Sequence, residues 1–556
     1  MPKVGFTLLP FPHADREAAA RQLAEVLSVD AAHATTVFNQ SRVKNMAGYL
    51  ADLGVRSMMI EYPYTDSDYL DAFAAYYAKC HTVFSRWCKR LHFFEAELSD
   101  EHLRDLESGA SAQTEELLQT SYRGFIVARP LPEAVIGRSL LATYPDVSDA
   151  EPMHKRHFPV LRNYEVNLCG IKLIINSIPF QEQDTVLAAC ATVALWTCFH
   201  KTADLFHTPV PGPVAITRTA SQLSHYGRPI PSTGLEIEEI CTAIRAIELE
   251  PELYDLNDIE AAGPFSDKAD GIADGGAVPF ASLLYGYLAM QLPVLLVVTI
   301  SGEESLHAIA VTGYSELDVP LPTEYANREF VPLFGRRIHE FYGHDDQICP
   351  FSRIGLAPAP GKHVKLITSW PDKNGKARNV FPRAVIVPVY NKIRLRYTDV
   401  LRRVERLDAL FMDPLADDNL GREWDLHLIL SNDYKRKVRE EPFRSHDVRR
   451  AILSSPHPRF WWRAVLSIAG EPVAELLFDA TGIARSIPLT EIIWINEELA
   501  AELERGLTPG ADESVHEVVV QNCTRPMFDF VVGSLRRRAE PFSHITSTYG
   551  ATTGIH

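Results

Sequence analysis

The chain has no long hydrophobic run. Its longest aliphatic stretch is Val294–Ile300, which contains Thr299. A membrane-spanning helix needs roughly 20 consecutive apolar residues, so the sequence predicts no transmembrane segment. The first twelve residues carry a single lysine and an apolar stretch that prolines interrupt, and we therefore expect no secretion signal.

Cysteine is scarce and scattered along the chain. The cysteines are Cys80, Cys88, Cys169, Cys190, Cys198, Cys241, Cys349 and Cys523. They lack the paired short spacings that are typical of disulfide-rich secreted domains. Cys80 and Cys88 alternate with His81 and His92, but their spacing fits no common zinc site. We expect free thiols, no bound metal and a reducing, cytoplasmic location.

Basic residues are outnumbered by acidic ones. The sequence holds 55 Lys and Arg against 72 Asp and Glu, a net charge of −17. Such a charge opposes non-specific attraction to nucleic acid or to an anionic membrane. The sequence also contains no Gly-rich phosphate-binding loop and no dinucleotide fingerprint. We expect no nucleic-acid partner, no membrane partner and no cofactor.

The length of 556 residues allows about three to five domains. Strand and helix signals alternate over residues 1–160, which predicts an accessory α/β domain that includes a long aromatic helix at Tyr69–Leu91. Residues 161–400 run from helices to antiparallel strands, which predicts an α+β domain. Residues 401–556 predict a mixed α/β accessory domain whose tail, Ser543–His556, is flexible.

The most informative segment is Gln181–His200. Cys190 lies near the predicted amino end of a small-residue, apolar helix, Thr185–Phe199. A helix dipole at that position favours the thiolate, which is the reactive form of cysteine. Gln183, seven residues upstream, carries an amide that can donate a hydrogen bond to an oxyanion. The alternative is that Cys190 is an ordinary core residue, as free cysteines usually are.

Two later segments carry a candidate base and its partner. His307 opens a strand that follows Val294–Ile300, where it is placed to act as a general base. A second strand, Arg337–Gly343, leads to Asp345 and Asp346, and either carboxylate could orient the ring of His307. The alternatives are a structural histidine and an acidic loop or weak cation site.

The chain order Gln183, Cys190, His307, Asp345 resembles the papain-like cysteine peptidases, most closely their bacteriocin-processing, double-glycine peptidase-like branch. Similar elements are Ser232–Leu235 ahead of a helix, the helix-then-strand stretch Leu283–Ser301, and Gly313 with Tyr314 in the His strand. The resemblance covers about residues 165–360 and not the ends. One departure is that the family commonly has its Gln six residues before the Cys, where this chain has Asp184.

The resemblance implies a papain-like catalytic core in residues 161–400, with a Cys-bearing helix packed on an antiparallel sheet. It implies a catalytic triad of Cys190, His307 and Asp345, with Asp346 as the alternative third member and Gln183 as the oxyanion donor. The implied activity is that of a bacterial thiol peptidase that cleaves a peptide or protein through a thioester. Alternatives are a Cys-dependent acyltransferase or deamidase, and a non-catalytic scaffold on the same fold. The sequence leaves open whether the chain also binds a protein regulator or a second copy of itself.

Overall fold

The computed structural model describes residues 5–145, 154–184, 186, 189–223, 234–256, 277–303, 306–317, 331–359, 362–370, 377–415, 421–482, 489–507 and 524–544. Neighbouring strands run antiparallel in every sheet of this part of the chain. The protein is therefore mixed α+β. The predicted tail beyond residue 544, together with Ser232 and Thr233, lies outside the described residues.

The amino-terminal unit is a five-stranded sheet in the order β1-β2-β3-β4-β5, with helices against it. The strands are β1 (Gly5–Pro10), β2 (Ser57–Tyr64), β3 (Cys88–Phe94), β4 (Tyr122–Ala128) and β5 (Ile136–Leu141). The helices are α1 (Arg16–Leu27), α2 (Ala34–Phe38), α3 (Ser41–Asp52), α4 (Ser67–Ala75), α5 (Asp100–Ser108) and α6 (Ala112–Ser121). The α/β prediction was wrong here, because each strand pairs antiparallel with its neighbour in sequence, whereas α/β folds use parallel strands.

The prediction of a long aromatic helix at Tyr69–Leu91 was also wrong. Helix α4 ends at Ala75, a short 3₁₀ turn follows at Tyr77–Lys79, and the chain then enters β3. Strand β3 pairs with β2 on one side and β4 on the other. Two pairing partners and burial on both faces stabilise the strand there, and this tertiary context overrides the local helix signal.

A central sheet follows a hairpin. The hairpin strands are β7 (Arg162–Leu168) and β8 (Ile171–Ser177), and they turn at Gly170. The central strands are β6 (His154–His157), β9 (Leu249–Asp255), β10 (Val294–Ile300), β11 (Leu306–Leu317), β12 (Ile338–Asp345), β13 (Cys349–Ala359), β14 (Lys362–Ile367) and β15 (Val380–Tyr390). Strand β10 pairs with both β11 and β15, which closes β10 to β15 into a ring.

Helices pack against this ring. They are α7 (Cys190–Phe206), α8 (Pro213–Ala220), α9 (Ile237–Arg245) and α10 (Ala277–Leu288). Helix α7 lies against β10, β11, β12 and β15, with Leu195, Trp196 and Phe199 buried in the core. The apolar run of β10 is buried almost throughout, which explains why that strand lacks the polar alternation of a half-exposed one.

The carboxy-terminal part is a four-stranded sheet with helices. The strands are β16 (Arg422–Leu430), β17 (Phe460–Ile468), β18 (Glu471–Asp479) and β19 (Leu489–Trp494). The helices are α11 (Tyr397–Leu415), α12 (Ser431–Glu440), α13 (His446–Ser454), α14 (Glu497–Leu507) and α15 (Arg525–Arg536). This sheet is antiparallel, so this part is a mixture of helices and strands, as predicted, but without the parallel pairing of an α/β fold. Trp424 and Trp462 belong to the same apolar core as β10 and β11.

None of the helices in the described ranges combines the length and the apolar character that crossing a bilayer requires.

The segment that leads to Cys190 is attached to the amino-terminal sheet. Phe180 exchanges two backbone hydrogen bonds with Ser139 of β5, and the Glu182 N–H donates to the carbonyl of Ile136. The Glu182 carboxylate accepts the Ile136 N–H at 2.9 Å and lies 2.7 Å from Arg42 Nη2. The Glu182 side chain is 1% exposed. The amino-terminal unit therefore fixes the approach of the chain to the helix that carries Cys190.

We expect Arg42→Ala to lower the free energy of unfolding by about 1 to 3 kcal/mol, because the change removes one of the two cations that act on the buried Glu182 carboxylate, the other being Arg129. Denaturant unfolding followed by circular dichroism measures this loss. The matched control is Arg56→Ala, since Arg56 and Glu97 form an exposed pair at 3.4 Å, and such pairs contribute about 0 to 1 kcal/mol. Equal losses in the two variants would contradict the role given to Arg42.

Candidate active site

Cys190 is the first residue of helix α7. Helix α7 was predicted from Thr185, but the structure begins it five residues later, at Cys190. The Asp184 side chain accepts the Val186 N–H at 2.8 Å, and the backbone of Ala189, the residue just before the helix, is extended. The side chain of Cys190 is half-buried. The later start places the sulphur at the positive end of the helix dipole.

His307 lies beside Cys190. It is the second residue of β11, is 4% exposed, and forms a side-chain hydrogen bond with Cys190. His307 Nε2 lies 3.0 Å from Asp345 Oδ1. Because Nε2 faces the carboxylate, Nδ1 is the ring nitrogen left for the thiol. The strand register brings His307 and Asp345 together, because Ala310 of β11 pairs with His344 of β12 and so places the end of β12 alongside the start of β11.

Asp345 is held by two further donors. Trp370 Nε1 donates to Asp345 Oδ2 at 2.8 Å, and the backbone N–H of Gln347 donates to Oδ1 at 3.1 Å. The Trp370 ring also meets the imidazole of His307 edge-on, with 4.7 Å between ring centres. These contacts fix the carboxylate and cover the His307 ring. Trp370 was missed in the sequence, where it is an isolated tryptophan with no spacing that relates it to His307.

Asp346 is the second carboxylate at the site. Its Oδ1 lies 3.9 Å from His307 Nε2, farther than Asp345 Oδ1. Asp346 is 3% exposed, and neither of its carboxylate oxygens has a hydrogen-bond partner among the described residues. Burial raises the pKa of the Asp346 carboxyl. The charge of His307 lowers this pKa, and the charge of Asp345 raises it further. The geometry places Asp345 in the orienting position and leaves Asp346 without a role in that contact.

The protonation of His307 depends on its neighbours. Burial by itself lowers the pKa of the imidazole, but the charge of Asp345 and the hydrogen bonds with Asp345 and Cys190 outweigh it and raise the pKa well above its usual value. An imidazolium is therefore the favoured form of His307 in the folded protein. A cation at this position stabilises a thiolate beside it.

No hydrogen bond within the described ranges joins Gln183 to the other site residues. It lies half-buried in the segment before the helix. The start of α7 offers other donors. The first intrahelical bond runs from the Val193 N–H to the Ala189 carbonyl, so the N–H groups of Cys190, Ala191 and Thr192 have no partner in the helix. Backbone donors at Cys190 were not considered in the sequence analysis.

One set of groups at the site has the donors of a metal site. His307, Asp345 and Asp346 each offer a ligand atom, and these atoms lie within 4.8 Å of one another. Within the described ranges, no other set of three His, Cys, Asp or Glu residues meets this criterion.

Comparison with known proteins adds no relative. The chain matches no protein-family model, no curated protein and no solved structure. The resemblance to papain-like peptidases and the activity it implies therefore stay predictions, which depend on the residues of this chain.

The Trp370 hydrogen bond can be tested by Trp370→Phe, which keeps an aromatic ring and removes the donor. One oxygen of the buried Asp345 then loses its partner, and such a loss costs about 1 to 3 kcal/mol. We expect lower stability together with slower alkylation of Cys190 by iodoacetamide, because the Asp345 carboxylate no longer holds the ring of His307. Denaturant unfolding and site-resolved mass spectrometry measure the two effects.

Trp424→Phe is the matched control for this experiment. Trp424 is also buried, and its Nε1 donates to Asp408 Oδ1 at 2.7 Å in the carboxy-terminal part. We expect this variant to lose similar stability without any change in the alkylation of Cys190. If both variants alkylate Cys190 at the wild-type rate, Trp370 has no influence on the site.

Proposed function

We propose that the chain is a cysteine peptidase that cleaves a peptide or protein amide bond through Cys190, His307 and Asp345. The observation that carries the proposal is the position of His307, which bonds to the thiol of Cys190 on one side and to Asp345 on the other. Nucleophile, base and orienting carboxylate in this relation are the parts that a catalytic triad requires.

The reaction starts from the pair in which His307 already holds the proton of Cys190, a thiolate beside an imidazolium. The thiolate attacks the amide carbonyl carbon, and the carbonyl π pair moves onto oxygen. Collapse of the tetrahedral intermediate breaks the C–N bond, and His307 returns the proton to the leaving amine. A thioester on Cys190 remains. Water, deprotonated by His307, attacks the thioester, which releases the acid and restores the thiol.

The negative oxygen of the tetrahedral intermediate needs hydrogen-bond donors. The backbone N–H of Cys190 at the start of α7 is one, because it has no partner in the helix. A donor of this kind contributes about 3 to 4 kcal/mol to the transition state. Gln183 is the second donor if its half-buried side chain turns toward the site, as the resemblance implies.

The substrate is a peptide or a protein rather than a small molecule. The flanking units occupy more than half of the chain, and the amino-terminal unit holds the segment that leads to Cys190 through Glu182 and Phe180. This arrangement supports selection of a dedicated substrate. The seven described cysteines are free thiols, which agrees with activity in a reducing cytoplasm.

Two alternatives use the same residues. An amine that replaces water in the last step makes the protein an acyltransferase, and a Gln side chain that replaces the backbone amide makes it a deamidase. A non-catalytic scaffold requires Cys190 to lie away from His307. The hydrogen bond between the two side chains favours an active thiol over that scaffold.

The first test is alkylation of the native protein by iodoacetamide between about pH 5 and 9, with each cysteine followed by mass spectrometry. We expect Cys190 to be alkylated faster than the other cysteines over this range, because an imidazolium beside a thiol favours its reactive thiolate form. His307→Ala should remove this reactivity, and Asp345→Asn should reduce it.

Two cysteines serve as internal controls. Cys241 is half-buried, as Cys190 is, and Cys169 is exposed. Burial raises the pKa of both thiols, so we expect them to react only at the alkaline end of the range and to be unaffected by His307→Ala. If Cys190 reacts no faster than these two, or is insensitive to His307, the peptidase proposal fails and the scaffold becomes the better explanation.

A further inference from the structure

Asp346 is not explained by the triad. A buried carboxylate without hydrogen bonds is costly, and both oxygens of Asp346 lack a partner among the described residues. Its Oδ1 nevertheless faces His307 Nε2 at 3.9 Å, beside an Asp345 that already orients the ring. The unpartnered oxygens therefore point to a ligand that is shared with His307 and Asp345.

The distances between these three groups suit a small divalent cation. Tetrahedral zinc has ligand bonds of about 2.0 to 2.2 Å, so its ligand atoms lie roughly 3.3 Å apart. His307 Nε2 is 3.0 Å from Asp345 Oδ1 and 3.9 Å from Asp346 Oδ1, values on either side of that spacing. All three ligand atoms lie within 4.8 Å of one another, and all three residues are buried.

The donor set favours zinc over harder cations. An imidazole nitrogen is a good ligand for Zn²⁺, whereas Mg²⁺ and Ca²⁺ prefer six or more oxygen ligands. Three protein ligands leave one tetrahedral position for water. Two carboxylates also balance the charge of a divalent ion in a buried site.

We propose that His307, Asp345 and Asp346 form an inhibitory Zn²⁺ site. The ion takes the Nε2 lone pair of His307, and the Nε2 proton passes to solvent. The hydrogen bond from His307 to Asp345 is replaced by two bonds to the metal. Zinc on Nε2 leaves the remaining ring proton on Nδ1, so a metal-bound His307 can neither accept the proton of the Cys190 thiol nor pass it readily to the leaving amine. The inhibitory consequence rests on the proposed peptidase function, whereas zinc binding itself does not.

Zinc also binds thiolate and imidazole pairs, and the experiment must separate that possibility. We would titrate chelator-treated, full-length Cys190→Ala protein with ZnCl₂ by isothermal calorimetry, with MgCl₂ and CaCl₂ as further titrants. We expect one Zn²⁺ per chain in the absence of the thiol and at least tenfold weaker binding of the other two ions. This binding arm gives a result whether or not the chain is a peptidase.

Asp346→Asn in the Cys190→Ala background tests the second carboxylate. Loss of even an outer partner of a metal ligand typically weakens binding about 10- to 100-fold, so we expect at least tenfold weaker zinc binding here. The variant should fold, because it removes an unpartnered charge and keeps the side-chain shape, and thermal unfolding checks this. His307→Ala in the same background is the second variant and should abolish binding. His446→Ala is the control, since His446 lies with Asp447 on the surface, and we expect unchanged binding.

In the protein that retains Cys190, Zn²⁺ should suppress alkylation of Cys190, and Asp346→Asn should require at least tenfold more zinc for the same suppression. Zinc binding that vanishes with Cys190→Ala but survives Asp346→Asn would assign the metal to the thiol and overturn the proposal. Unchanged zinc binding in His307→Ala would overturn it as well. If Cys190 shows no His307-dependent alkylation without metal while zinc still binds, the peptidase proposal fails and the metal site stands.

Discussion

The contact between His307 and Asp345 joins the start of β11 to the end of β12 in a place from which water is excluded. Charged groups in such a place need fixed partners, because burial removes their hydration. Asp345 has them in Trp370 and the Gln347 N–H, and His307 has Cys190 on its other side. The site is thus a row of interacting side chains, each of which holds its neighbour in one orientation. Its geometry depends on the register of the two strands, since a shift of one residue would turn Asp345 to the opposite face.

The thiol of this row belongs to a different part of the molecule, the start of helix α7. Helix α7 packs on the central ring, and the segment before it is attached to the amino-terminal sheet through Phe180 and Glu182. The amino-terminal unit therefore takes part in building the site, beyond any role in substrate selection. The carboxy-terminal sheet supports the ring from another side, since Trp462 shares its apolar core. Loss of either flank would disturb the distance between Cys190 and His307.

Several elements followed from local pattern, and others did not. The strand at Val294–Ile300 was predicted, because an apolar run acts over a few positions. The helix predicted over Tyr69–Leu91 failed, because pairing of β3 with two strands outweighed its local preference. The chain enters α11 at Tyr397, whose N–H donates to the hydroxyl of Tyr254, a residue far away in the sequence. A short stretch of sequence does not reveal contacts between residues that lie so far apart along the chain.

Local pattern was enough to find the chemical groups and their order: a cysteine near a helix start, a histidine that opens a strand, and a carboxylate after the next strand. Residue type and short-range periodicity carry that information. Two other features arise only in the folded chain: Asp345 lies nearer His307 than Asp346 does, and Trp370 holds Asp345. Those outcomes depend on strand register and on side chains that are distant in sequence. The positions of these side chains follow from the packing of the whole core, which no local sequence pattern determines.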